Sequence, residues 1–256
     1  MRSFLAFTHK EITHQVRSGK LILLGILFTL FGIMNPAIAK LTPWLLDAMA
    51  DSLAESGMIV TGVTITALDS WVQFFKNAPM ALIAFVLLEG SIFTTEYETG
   101  TLVLSLTKGL ARHKVVLAKT VVLSIVWSLG YWLCFGITYG YNAYFWDNGI
   151  AQNLWLAVVC WWVFGLWVVA LTVLFSVLAR SGGMVLVGTG GVAFLSYLLS
   201  IIPQVKEYLP TALTDGNSLI YGTAKADAYT APLLITAAMT VLLAGISIPI
   251  FSKRKL

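Results

Sequence analysis

The chain has 256 residues, of which 58% are hydrophobic and 11% charged, with a net charge of +4 and a mean hydropathy of +0.85. A water-soluble domain carries about a quarter charged residues, so this composition excludes a soluble enzyme or binding module. It calls for an all-α polytopic membrane protein, because lipid leaves no partner for open backbone groups and the apolar runs are too long for barrel strands.

Residues 1–20 read as a helix in the headgroup plane. Met1, Leu5, Ile12 and Val16 share one face with Phe4 beside them, and Arg2, Lys10, Arg17 and Lys20 take the other side. The alternative is a plain leader whose charges only set topology. The first span is Leu21–Ala39, read as retained although Ala37-Ile38-Ala39 resembles a cleavage site. Residues 40–76 form a long outer loop. In it, Thr42-Pro43 can start a helix that Gly57 ends. A second amphipathic piece places Leu68, Trp71, Val72 and Phe75 at interface depth.

The second span, Asn77–Thr95, is interrupted only by Glu89. An ionisable group inside a span is costly and faces protein or water. Glu89 is therefore a candidate for the substrate path or gating, with a carboxylate bonded to a neighbour as the alternative. A charged, glycine-punctuated island follows over residues 96–114. Thr101 can cap a short helix, Leu102–Thr107, and Gly109 can end it. Its leucines suit docking into a groove rather than free solvation.

Four more spans lie within Thr120–Trp146, Leu154–Leu178, Ser181–Val205 and Ala228–Ser252. Tryptophan and tyrosine crowd the third and fourth as interfacial anchors and packing residues. Residues 203–227 form a polar outer segment before the last span, fitting two short helices or a re-entrant dip. Gly25 and Gly32 share a face of the first span, and Gly188 and Gly191 lie in the fifth. Small residues let membrane helices approach closely, so the first and fifth spans are expected to make the tightest contacts, within the chain or across a dimer. Cys134 and Cys160 read as buried thiols.

With both termini in the cytoplasm, twelve lysines and arginines lie inside and four outside, while eight of the twelve acids lie outside. This positive-inside bias orients the chain and directs its charge to lipid headgroups rather than nucleic acid. The sequence has no phosphate loop, no nucleophile elbow and no zinc-protease motif. His9, Glu11 and His14 do not share a helical face, so no metal site is expected.

The island carries a resemblance. Glu96-x-Glu98-x-Gly100-Thr101-Leu102, then Leu106-Thr107, Arg112 and Lys119, resembles the E-x-x-x-G-T-L…L-L-x-P-x-S-R…K signature of ABC-2 type transporter permeases. Lys108-Gly109 stands where that signature often has proline, and Ala111 where it has serine. The six-span layout, amphipathic leader and long first outer loop agree along the single domain 1–256. The resemblance implies a multi-pass subunit of a bacterial exporter in the cell membrane. Two such permeases pair with two ATP-binding subunits, which hold ATP and Mg and hydrolyse ATP, so this chain has no cofactor and no catalytic residue. Glu96, Glu98, Gly100, Thr101, Leu102, Leu106, Lys108, Gly109 and Arg112 then belong to a coupling element resting in a cleft of the ATPase. By analogy the substrate is amphipathic or hydrophobic: a peptide, a toxin or a drug. Two other readings remain open. One is an immunity or sensor subunit without true transport; the other is a proton-coupled transporter relying on Glu89.

Overall fold

The computed structural model describes residues 2–50, 64–107 and 109–254. Gly57, Lys108 and the side chain of Glu98 lie outside what is described. The described residues form eleven helices and three 3-10 turns, with no strand among them. Helix α1 is Arg2–Arg17, α2 Lys20–Ala48, α3 Ala67–Glu89, α4 Thr94–Glu98 and α5 Thr101–Thr107. Then come α6 Arg112–Phe145, α7 Leu154–Leu178, α8 Gly182–Leu199, α9 Pro203–Lys206, α10 Gly216–Ile220 and α11 Thr230–Lys253. Six of the described helices are long and apolar enough to cross a membrane: α2, α3, α6, α7, α8 and α11.

Two helix boundaries differ from the sequence expectation. Thr42-Pro43 starts no helix; α2 runs through Pro36 and Pro43 to Ala48, and the Thr42 hydroxyl donates back to the Ile38 carbonyl at 2.8 Å. A proline removes only one backbone donor, and the surrounding apolar turns carry the helix past it. The amphipathic piece after Thr66 is the first part of α3 rather than a separate interfacial segment. Asp69 Oδ2 accepts from the Thr66 amide at 2.8 Å and from its hydroxyl at 3.1 Å, closing the N-terminus with a capping box. Trp71 is fully buried instead of lying at the interface, because its indole NH reaches Asn148 Oδ1 at 3.1 Å and its ring packs on Phe135.

Helix α7 is the centre of the bundle, with α6, α8 and α11 packed around it, while α2 packs on α3 and α6. The mid-span aromatics are packing residues. Trp127 donates to the Trp162 carbonyl at 3.2 Å, Trp162 to Ser128 at 2.9 Å, and Tyr131 to the Val158 carbonyl at 2.9 Å. Gly165 makes this possible: a β-carbon there would lie 2.1 Å from the Trp127 ring.

Among the described residues the first and fifth spans pack on other helices rather than closely on each other. Helix α2 rests on α3 and α6, and α8 rests on α7. The glycines explain why. A β-carbon at Gly32 would meet Ile137 of α6 at 2.9 Å, and one at Gly188 would meet the Phe175 ring of α7 at 2.3 Å. Each glycine serves a nearer neighbour. A β-carbon at Gly25 or Gly191 would meet no atom of another helix within 4 Å. At the end of the bundle away from α1, residues 203–229 fold back onto α7 and α11 as two short helices and two 3-10 turns, with Leu213, Leu219 and Ile220 buried.

Candidate functional site: a charged seam beneath the glycine-flanked helix

Helix α1 buries a polar stripe. Phe7, Glu11 and Gln15, four residues apart, face the protein, while Leu5, Ile12 and Val16, roughly a quarter turn or more away, remain exposed. The exposed apolar face keeps the geometry of a helix lying on a membrane surface. The turn into α2 is made by Gly19, whose φ of 75° is open to glycine at little cost.

The buried stripe meets α4 and α6 in a closed ring of four charges. Lys119 of α6, 1% exposed, places Nζ 2.8 Å from Glu11 Oε2 and 3.0 Å from Glu96 Oε2. Lys10 Nζ lies 2.7 Å from Glu96 Oε1 and 3.1 Å from Glu11 Oε1. Each carboxylate therefore bridges both ammonium groups, and the ring is neutral as a whole. Lys119 also donates to the Ile92 carbonyl at 3.1 Å, and the rings of Phe7 and Phe93 flank the lysines. Burial works against the Lys10 ammonium, but the hydrogen bond to Glu96 and the two carboxylate charges outweigh it and raise its pKa above 10.5.

One turn from Glu11 along α1 toward α2, Gln15 Nε2 donates to Glu89 Oε2 at 2.6 Å. Glu89 is fully buried, and its other oxygen has no hydrogen-bond partner, nor has Gln15 Oε1. Ser3 accepts from Lys114 at 2.9 Å, a further tie between α1 and α6.

The ring holds the base of the island. Beyond Glu96, Gly100 and Gly109 both have positive φ, 65° and 85°, and bracket α5. Helix α5 begins at Thr101 itself. Leu102 is buried and Leu106, one turn on, packs against the core, whereas Thr101 and Thr107 are exposed. The sequence-derived coupling residues therefore divide. Glu96 lies in the ring, Gly100 and Gly109 set the turns, and Leu102 and Leu106 anchor α5. Arg112 turns away from α5: its guanidinium donates to the carbonyls of Phe251, Ser252 and Arg254 at 3.2, 3.2 and 2.5 Å. Sequence reasoning missed Glu11, Gln15 and Lys10 as members of one site. A signal was present, since Glu11 and Gln15 are one helical turn apart and Lys119 is a lone charge in an apolar run.

A second feature lies deeper in the bundle. Helices α3, α7 and α8 line an open apolar groove of about 350 Å³, with Leu82, Val86, Phe164 and Val168 on its floor, Ile83, Leu87 and Phe194 exposed at its rim, and no charged residue on its wall. Its wall also carries Thr189, whose hydroxyl is buried without a hydrogen-bond partner. Glu89 does not line it.

A comparison with curated proteins returns no match. The family model described as "ABC-2 family transporter protein" matches residues 5–256. That span takes in the leader, all six membrane helices and the glycine-flanked island, and the chain belongs to the ABC-2 family of transporters.

Proposed function

We propose that this chain is the permease subunit of an ATP-driven exporter in a bacterial cell membrane, with α1, α4 and α5 on the cytoplasmic side. Permeases of this family work with ATP-binding subunits, and ATP and Mg are held and hydrolysed there, in two copies beside a pair of permeases. The observation that carries the reading is the charge ring. It fastens the island to the interfacial helix α1 and to the first turns of α6, so a push on α5 reaches three elements at once. Exposed Thr101 and Thr107 mark the side of α5 open to a partner, while Leu102 and Leu106 hold the other side.

The uncharged groove between α3, α7 and α8 supports an amphipathic or hydrophobic substrate such as a peptide, toxin or drug. Glu89 is bonded to the leader and lies off that groove, which favours ATP-driven over proton-driven transport.

The test is purification from native membranes, followed by ATP hydrolysis in lipid with and without candidate amphipathic peptides. The two native thiols, Cys134 and Cys160, are both buried, so a Thr107→Cys permease offers one exposed thiol for crosslinking. The expected result is an ABC ATPase that co-purifies and crosslinks through position 107. Absence of any ATP-hydrolysing chain, or crosslinking only through control positions at the opposite end of the bundle, would overturn the proposal.

A further inference from the structure

We propose that Arg254 is a positioning residue that ties the island to the ends of α7 and α11, so that the fourth and sixth spans follow α4. The inference rests on the coupling role proposed above.

The last carbonyls of a helix lack intrahelical donors and carry the negative end of its dipole. Two such ends meet beneath the island, and each is closed by an arginine from elsewhere. Arg112, at the start of α6, donates to three carbonyls at the end of α11. Arg254, just past α11, donates to the carbonyls of Val177 and Ala179 at the end of α7, the latter at 2.8 Å. The same guanidinium lies 4.2 Å from the ring centroid of Tyr97, the residue after Glu96 in α4. One guanidinium thus lies over a ring of α4 and donates to two carbonyls of α7. A lysine ammonium is a point charge and cannot do both in this geometry.

A second contact runs parallel to it. Phe93 packs edge-on against Phe251 of α11 at 5.8 Å, and both rings are fully buried. The base of the island is therefore linked to four helices by two different chemistries. The charge ring reaches α1 and α6, and Arg254 with Phe251 reaches α7 and α11.

Proximity alone does not show coupling; a non-additive double mutant does. The experiment is backbone hydrogen exchange of the purified permease in lipid nanodiscs, read at residues 174–179. Arg254→Gln is expected to speed exchange there about tenfold or more, the factor carried by charge-assisted hydrogen bonds. Tyr97→Leu, which leaves those bonds but removes the stacked ring, should speed it about threefold. The double variant should be no faster than Arg254→Gln alone, and Arg254→Lys should recover only part of the protection.

Unchanged exchange in Tyr97→Leu, or effects that simply multiply in the double variant, would overturn the inference. If Arg254→Gln does not fold, the same comparison is made with Arg254→Lys. No ATPase is needed, so this outcome is separate from the crosslinking test. A permease that fails to crosslink can still show the linkage, and one that crosslinks can lack it.

Discussion

At the α1 end, two carboxylates and two ammonium groups hold α1, α4 and α6 together, whereas in the other half of the bundle the seam between α2, α3 and α6 is closed by neutral groups. There, Asn77 donates to Asn35 Oδ1 at 2.8 Å, Asn35 to Thr138 at 3.1 Å, and Thr138 to the Gly32 carbonyl at 3.0 Å. Both networks are largely buried, with Lys10 the exposed member of the ring, but they respond differently to damage. A neutral network loses hydrogen bonds one at a time, each about 1 kcal/mol. In a charge ring, removal of a buried member such as Lys119 strands the carboxylates in a medium that cannot solvate them, whereas water can take the place of Lys10, whose side chain is partly exposed. The difference suits the positions. The neutral seam joins three helices of membrane-spanning length, and, on the function proposed above, the ring sits where a partner would push.

The largest expected effect comes from breaking the ring at its most buried member. Lys119→Met leaves Glu11 and Glu96 facing Lys10 alone and should lower stability by about 3–5 kcal/mol, measured by thermal unfolding in detergent. Adding Glu11→Gln alone to it should restore much of that loss, since Glu96 and Lys10 then remain as a neutral pair. A Lys119→Met protein that unfolds at the normal temperature would show that water reaches the ring.

Asn35 tests the neutral side. Asn35→Ala removes the acceptor of Asn77 and the donor to Thr138, which keeps its bond to the Gly32 carbonyl, for about 2 kcal/mol. Transport per ATP hydrolysed should not change, because the seam lies away from the island. A coupling defect in Asn35→Ala at unchanged folding would erase the functional distinction between the two networks.

The six spans were legible in the sequence because hydropathy alone sets them, and so was the short glycine-bracketed helix, whose punctuation is local. The polar face of α1 was not. Along α1 the apolar residues Leu5, Ile12 and Val16 make the stronger pattern and point to lipid, while Glu11 and Gln15 acquire meaning only from Lys119 and Glu89, which are 108 and 74 residues away. Arg112 was legible as a motif position but not as a cap on α11, for the same reason. Gly32 and Gly188 lie at close approaches, and their partners depend on Ile137 and Phe175, whose bulk only the packed bundle places. Pro43 misled because a helix start and a tolerated proline within a long apolar helix look alike locally.

Glu89 stands between the two networks, a charged residue type held by a neutral amide. Glu89→Gln keeps the shape and the contact with Gln15, so stability should change by less than about 1 kcal/mol and transport should persist. Lost transport in a well-folded Glu89→Gln permease would put its charge or its proton into the mechanism and revive the proton-driven reading.

The smallest effect is expected at Lys10, the ring member nearest solvent, with its side chain 43% exposed. Lys10→Ala should destabilise by about 0.5 kcal/mol, the size of an exposed ion pair, and the loss should shrink as salt is added. Its pKa is raised in the folded protein, so its contribution is complete below the ordinary value of 10.5 and disappears only as pH rises through the higher folded value. Between neutral pH and pH 9 the difference in melting temperature between Lys10→Ala and the wild type should therefore stay constant. A difference that changes within that interval would mean that another member of the ring titrates there, and that the ring responds to pH as well as to a push.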